Sequence, residues 1–213
     1  MPDGLLAPVC HETSVPASHH DFAADVARTP NDVTVALWIR AAVFVGEEAC
    51  PIAEEFDDND FVATHILGFV GGQPAATMRI RWFAGFAKME RMAVLRPFRG
   101  SRIARTVIRT AMTLIQRKGY TVVVGHAQNG REKWWSFVGR GFGSGFQPCP
   151  DTLRFTFSGH SFTAMKCVLP PAPDALQATC DPMILNRPEG LWDRPGPLER
   201  GRLSGDDQAA HKA

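Results

Sequence analysis

Residues Lys88 to Arg109, KMERMAVLRPFRGSRIARTVIR, constrain the fold of this chain more than any other stretch. Lys88 to Leu95 reads as a strand, and Arg96-Pro97-Phe98-Arg99-Gly100-Ser101 as a turn. Behind the turn, Ile103, Val107, Ile108, Ala111, Leu114 and Ile115 recur at helical spacing. Arg102, Arg105 and Arg109 share the opposite face of that helix. Lys118-Gly119 closes it with a basic last turn and a glycine stop. Thr121 to Ala127 then reads as a β-branched strand buried in a sheet. The start of the helix offers free amides and the positive end of its dipole, and Arg96, Arg99 and Arg102 surround it. A phosphate or pyrophosphate fits that environment. A solvated helix face carrying ordinary arginines has the same composition.

The flanking sequence extends the pattern on both sides. Asp21 to Arg28 reads as a short strand. Thr29-Pro30-Asn31-Asp32 is helix-start chemistry, and Val33, Ala36, Leu37, Ala41 and Phe44 carry a helix to about Glu48. His65 to Val70 and Ala75 to Phe83 read as strands joined by a Gly71-Gly72 hairpin turn. Gly130 to Val138 reads as a short helix. Leu153 to Ser158 and Ser161 to Leu169 read as a final hairpin about Gly159-His160. The order β-α-β-β-β-α-β-α-β-β gives an α/β mixed sheet. One domain is expected over residues 21–169, with an irregular arm at 1–20 and a tail at 170–213. That tail holds seven of the sixteen prolines, which argues against regular structure, and its last dozen residues read as disordered.

Composition narrows the classes of function. At 213 residues, 45% of them apolar, the chain can bury a core of its own. The net charge of +1 gives no global pull towards nucleic acid or a membrane surface. No apolar run spans a bilayer, and the N-terminus lacks the pattern of a secretory signal. Cys10, Cys50, Cys149, Cys167 and Cys180 are odd in number, widely spaced and free of any CxxC pair. Reduced thiols in a cytoplasmic protein are therefore expected, with no zinc ribbon and no metal.

The central stretch resembles the GCN5-related N-acetyltransferase (GNAT) superfamily, whose signature is Arg/Gln-x-x-Gly-x-Gly/Ala. Arg99, Ser101, Ile103 and Ala104 lie in register with it. Arg40-x-x-Val43-Phe44-Val45 with Glu47-Glu48, then Glu55-Phe56-Asp57 and Asp60-x-x-Ala63-Thr64-His65, look like the early segment of many small bacterial members. His126-Ala127-Gln128 resembles the end of their fifth strand, and Gly141-Phe142 the pair after their last core helix. The resemblance covers about residues 21 to 169 and implies a mostly antiparallel central sheet flanked by helices. Two departures stand out. Arg102 replaces the glycine that lets the backbone approach the pyrophosphate. The tyrosine that protonates the departing thiolate in many members is replaced by Trp135 or Phe137, depending on the direction of counting.

By this resemblance, acetyl-CoA or another acyl-CoA docks on Arg99, Gly100, Ser101, Arg102, Ile103, Ala104 and Arg105. The main chain of Met92, Ala93 and Val94 holds the thioester carbonyl. An amine then attacks directly, which requires a base. Glu90 is the first candidate, on the expectation that apolar neighbours raise its pKa, with pairing to Arg79, Arg81 or Arg91 as the alternative. His126 is the second. Glu47, Glu48 and Trp134 are candidate acceptor-binding residues. They belong to an acidic run, Glu47 to Asp60, that would attract a cationic amine or else form a solvated loop, and to an aromatic surface. Small-molecule or protein amines are the implied acceptors, and a homodimer is common in the family. Two other readings share the fold. One is a long-chain acyl transferase fed by an acyl carrier protein, similar to acyl-homoserine-lactone or N-acyl amino acid synthases. The other is a non-catalytic binding or regulatory domain.

Overall fold

The computed structural model describes residues 21–149 and 154–200. The expected arm at 1–20, the segment 201–213 and Leu153 at one expected strand start lie outside them. The chain opens with strand β1 (Phe22–Val26) and helix α1 (Pro30–Arg40). Thr29 caps α1 reciprocally: its hydroxyl accepts from the Asp32 amide, and the Asp32 carboxylate accepts from the Thr29 amide. The sequence predicts a helix to about Glu48, but the α-helical pattern stops at Arg40. A wider turn with i→i+5 bonding carries on over Ala41–Val45. Gly46 ends it, where an added Cβ would sit 2.8 Å from the Ala42 carbonyl oxygen.

A one-turn helix α2 (Ile52–Glu55) precedes strands β2 (Thr64–Val70), β3 (Gln73–Phe83) and β4 (Phe86–Val94). Gly71 and Gly72 both take positive φ, as a two-residue hairpin turn requires. Helix α3 (Ile103–Arg117), strand β5 (Val122–Gln128) and helix α4 (Glu132–Val138) follow, then β6 (Gln147–Pro148), β7 (Phe155–Phe157), β8 (His160–Val168) and α5 (Pro182–Leu185). The expected order holds, with two single-turn helices and a two-residue strand added. These are too short to leave a periodic signal.

The sheet runs β1-β2-β3-β4-β5-β8-β6, with β7 paired to β8. Every pairing is antiparallel except β4 with β5. The apolar stripe of α3 packs on one face with Ile66, Met78, Ile80 and Met89. Ala36, Ile39 and Val43 of the first helical segment pack on the other face with Leu67 and Ala93. Gly68 of β2 lets α3 approach: a Cβ there would lie 2.5 Å from Val107 Cγ2 and 2.9 Å from Ile103 Cδ1. Gly68→Ala is expected to cost about 1–3 kcal/mol, read as a lower urea midpoint with an unchanged slope. Beyond β8 the chain turns back over the end of α3. Trp192 is buried in the α3-side core, and Glu189 binds both Lys118 and Thr64. No helix among the described residues is long and apolar enough to cross a membrane.

Candidate active site

The site originates in a fault in the sheet. β4 and β5 pair over only three positions, from Ala87↔Val123 to Met89↔Gly125. Both strands continue beyond that point without pairing. The cause lies in β4, where Thr77↔Ala93 and Arg79↔Glu90 leave one residue too many on the β4 side. Such a bulge bends its strand and sharpens the twist, here away from β5. Arg91 sits in the bulge at φ +54, a left-handed conformation that costs a non-glycine residue energy. Its guanidinium is tied to Glu55 at 3.0 Å and to the Glu54 carbonyl at 2.8 Å, which offsets that cost.

A cavity of about 940 Å³ fills the split. One end reaches the turn before α3, where Phe98, Arg99, Gly100, Ser101, Ile103 and Ala104 line it. Gly100 takes φ +79, so this glycine shapes the turn. Arg102 has right-handed angles (φ −78, ψ −6), and its position does not require glycine for conformation. No side chain caps α3, although the Ser101 hydroxyl accepts from the Ile103 amide at 3.3 Å. The Leu95 amide donates to Ala75. Amides alternate along a strand, so that of Val94 points away from β3 and into the split.

The other end carries the charged groups. Arg79 is fully buried. It binds Asp57 through two nitrogens (both 2.7 Å), Asp60 at 2.9 Å and Glu90 at 2.7 Å. Arg40, equally buried, binds Glu55 at 2.5 Å and also Asp60. Lys88 meets Glu90 at 2.6 Å, and Arg91 meets Glu55 and Asp57. Four cations thus face four carboxylates. Three of the seven acidic residues from Glu47 to Asp60 belong to this network and Glu47 pairs with Arg96 and Arg99, so the run is neither simply a solvated loop nor a free field for a cationic amine.

The expectation that Glu90 has a raised pKa is corrected here. Burial alone would raise it, but Lys88 and Arg79 together hold its carboxyl below the ordinary glutamate value. Glu90 is therefore a firmly ionised partner of two cations. His126 differs. Burial pushes its pKa below the ordinary 6.5, with Lys88 lowering it further and Glu90 opposing. The imidazole is neutral near pH 7, lines the cavity, and has no hydrogen bond among the described residues. Its ring meets the edge of Phe155 at 4.8 Å.

The remaining candidates are placed as follows. Met92, Val94, Glu48 and Trp134 line the cavity. Ala93 is buried towards α1. Arg102 is exposed outside the cavity, and Arg105 stacks on Phe137, 4.6 Å from the ring centre. Glu47 does not face the acceptor end. It pairs with Arg99 at 2.7 Å and Arg96 at 3.4 Å, at the turn itself. The hydrogen bond from Arg99 keeps the Glu47 carboxyl below its usual value. Neither Trp135, buried beneath Gly125, nor Phe137 can donate an acidic proton. The alternative of a Glu90–Arg79 pair holds at 2.7 Å, but sequence reasoning missed three features: the wider buried network that joins Arg40 to Arg79 through Asp60, the aromatic wall of β7 and β8, and a Cys50–Ser158 contact of 3.0 Å. Only the wall had a signal, the alternating Phe155 and Phe157.

Comparison with known proteins agrees with this geometry. The acetyltransferase (GNAT) family pattern matches residues 31–143. BSU40680 of Bacillus subtilis (strain 168), which carries an acetyltransferase name, is 31% identical over 100 residues, 46% of this chain and 68% of that protein. An acyl-CoA N-acyltransferase from Pseudomonas aeruginosa superposes with a TM-score of 0.60 at 20% identity, over 70% of this chain and 100% of that one. FeeM, an N-acyl amino acid synthase from uncultured soil microbes, superposes with a TM-score of 0.57 at 13% identity, over 84% of this chain and 97% of that one. The split sheet with the uncapped helix start beside it and the family match over more than half the chain lead to one conclusion: this chain belongs to the acetyltransferase (GNAT) family.

Proposed function

We propose that the chain is an N-acyltransferase that moves an acyl group from acyl-CoA to a primary amine. The observation that carries this reading is the imidazole of His126, which has no hydrogen bond among the described residues and lines the same cavity as Met92 and Val94 of β4. The turn fits the anionic part of the co-substrate. Gly100 opens it, Arg96 and Arg99 supply charge, and the uncapped start of α3 supplies amides and its dipole. The main chain of Met92 to Val94 holds the thioester carbonyl and stabilises negative charge on its oxygen.

His126 accepts the proton that the amine loses as its nitrogen bonds to the carbonyl carbon. The carbon–sulfur bond breaks, and the thiolate leaves without a tyrosine. A thiol pKa of about 8.5 makes that departure feasible, with solvent returning the proton. Burial and Lys88 keep His126 uncharged, with Glu90 acting in the opposite sense.

Titration of the purified protein with acetyl-CoA by calorimetry tests the first half of this reading. Micromolar binding is expected, and Arg99→Ala should weaken it about tenfold. Glu47→Gln should tighten it roughly two- to fivefold, because the Glu47 carboxylate competes with phosphate for Arg99. No binding by the wild type to acetyl-CoA or to longer acyl-CoAs would defeat the proposal.

A further inference from the structure

The acceptor's chemical class can be read from what surrounds His126, given the reading above that His126 is the base. The nitrogen under attack must lie beside that imidazole, so the rest of the acceptor rests on the neighbouring wall. Phe155 meets the His126 ring edge-on at 4.8 Å. Phe155 and Phe162 are stacked at 5.4 Å, and Phe157 adds its ring at 6.3 Å from Phe162. Phe155 is 39% exposed and Trp134 38%, yet both line the cavity. Large apolar rings left open inside a concave site mark the place where a ligand's apolar body is buried.

The electrostatics point the same way. A polyamine or a lysine-rich tail needs several uncompensated carboxylates; of the four lining the cavity, Glu55, Asp57 and Glu90 are paired with Arg40, Arg79, Arg91 and Lys88, which leaves only Glu48 without an ion pair among the described residues. We propose that the acceptor is a primary amine with an apolar, ring-bearing body. Its ring packs on Phe155, Phe157 and Phe162, and its nitrogen lies at His126. The β7–β8 hairpin is then the specificity wall of the enzyme.

The test is an amine panel assayed with acetyl-CoA and one longer acyl-CoA: phenethylamine, tryptamine, spermidine and a lysine peptide. The ring-bearing amines should exceed spermidine and the peptide in kcat/KM by tenfold or more. Phe155→Ala and Phe162→Ala should each raise the amine KM about tenfold, with the acyl-CoA KM unchanged. Phe155→Leu should recover part of that loss. Preference for spermidine or the peptide would overturn the proposal. A shift in the acyl-CoA KM alone would do so too, by assigning the wall to the acyl chain.

A second readout does not depend on turnover. Phenethylamine should bind the wild type saturably by calorimetry, and Phe155→Ala should abolish that binding. Binding without acyl transfer to any amine would keep the wall and defeat the transferase reading. Transfer without any effect of the two phenylalanine substitutions would do the reverse. Circular dichroism of both variants confirms that the fold is intact.

Discussion

Arg79→Ala is expected to destabilise the fold by about 3–5 kcal/mol, a large share of a typical domain's stability. The side chain is fully buried and satisfies Asp57, Asp60 and Glu90 together. Its removal leaves three carboxylates without their shared cation in a site of low dielectric. That penalty exceeds the value of any one pair. Arg79→Lys keeps the charge but cannot fork between three partners, and should recover only part of the loss. Urea unfolding followed by circular dichroism checks both.

The same network sets the response to acid. Burial would raise the Asp57 and Asp60 carboxyls, but hydrogen bonds from Arg79 and Arg40 hold both below the ordinary aspartate value. Their stabilisation is present above the unfolded carboxylate pKa and is lost as the pH falls through the folded one. His65 adds to this. Burial lowers its pKa, so the unfolded chain takes up a proton first, and stability declines as the pH drops below about 6.5. Glu55 acts in the opposite sense, since burial outweighs the attraction of Arg40 and raises its pKa. The urea midpoint should fall as the pH drops from 7 to below 3, with the aspartate part of the decline below about pH 4. Arg79→Ala should flatten the part of that decline due to Asp57 and Asp60. A midpoint independent of pH would contradict the assignment.

His126→Ala should reduce kcat/KM for acyl transfer by about 10²–10⁴, the usual worth of a positioned base. The imidazole must be neutral to accept a proton, so activity rises with pH through its pKa, which lies below 6.5. This acidic limb should vanish in His126→Ala. Glu90→Gln should move it to lower pH, because Glu90 opposes the lowering of the His126 pKa. A limb unchanged in His126→Ala would mean that another group carries the proton.

Much of this was legible in one dimension. The strand–turn–helix from Lys88 to Arg109 is written in local periodicity, glycine placement and charge. Local rules governed these elements, so sequence reasoning located them to within a few residues. The turn before α3 and the position of His126 near a strand end follow from the same order of elements. Pairing of charges across the fold is not written there. Arg79 could be offered from sequence only as one of three possible partners of Glu90, nothing in the linear pattern joins Arg40 to it, and the acidic run reads as either a solvated loop or a field for a cationic amine. Only the tertiary structure brings residues 40, 55, 57, 60, 79, 88, 90 and 91 together, because their partners lie on different elements of the sheet and its flanking loop. Glu90 shows the consequence. Its apolar sequence neighbours suggested a raised pKa, and Lys88 on the same strand with Arg79 opposite on β3 reversed the sign. The bulge at Arg91 is likewise invisible in sequence, since its left-handed backbone is held by contacts with Glu54 and Glu55 rather than by a glycine. The chain order thus determined where the sheet carries its helices and its turn. Long-range electrostatics and packing decided which charges are silent, which imidazole is free, and where the sheet opens.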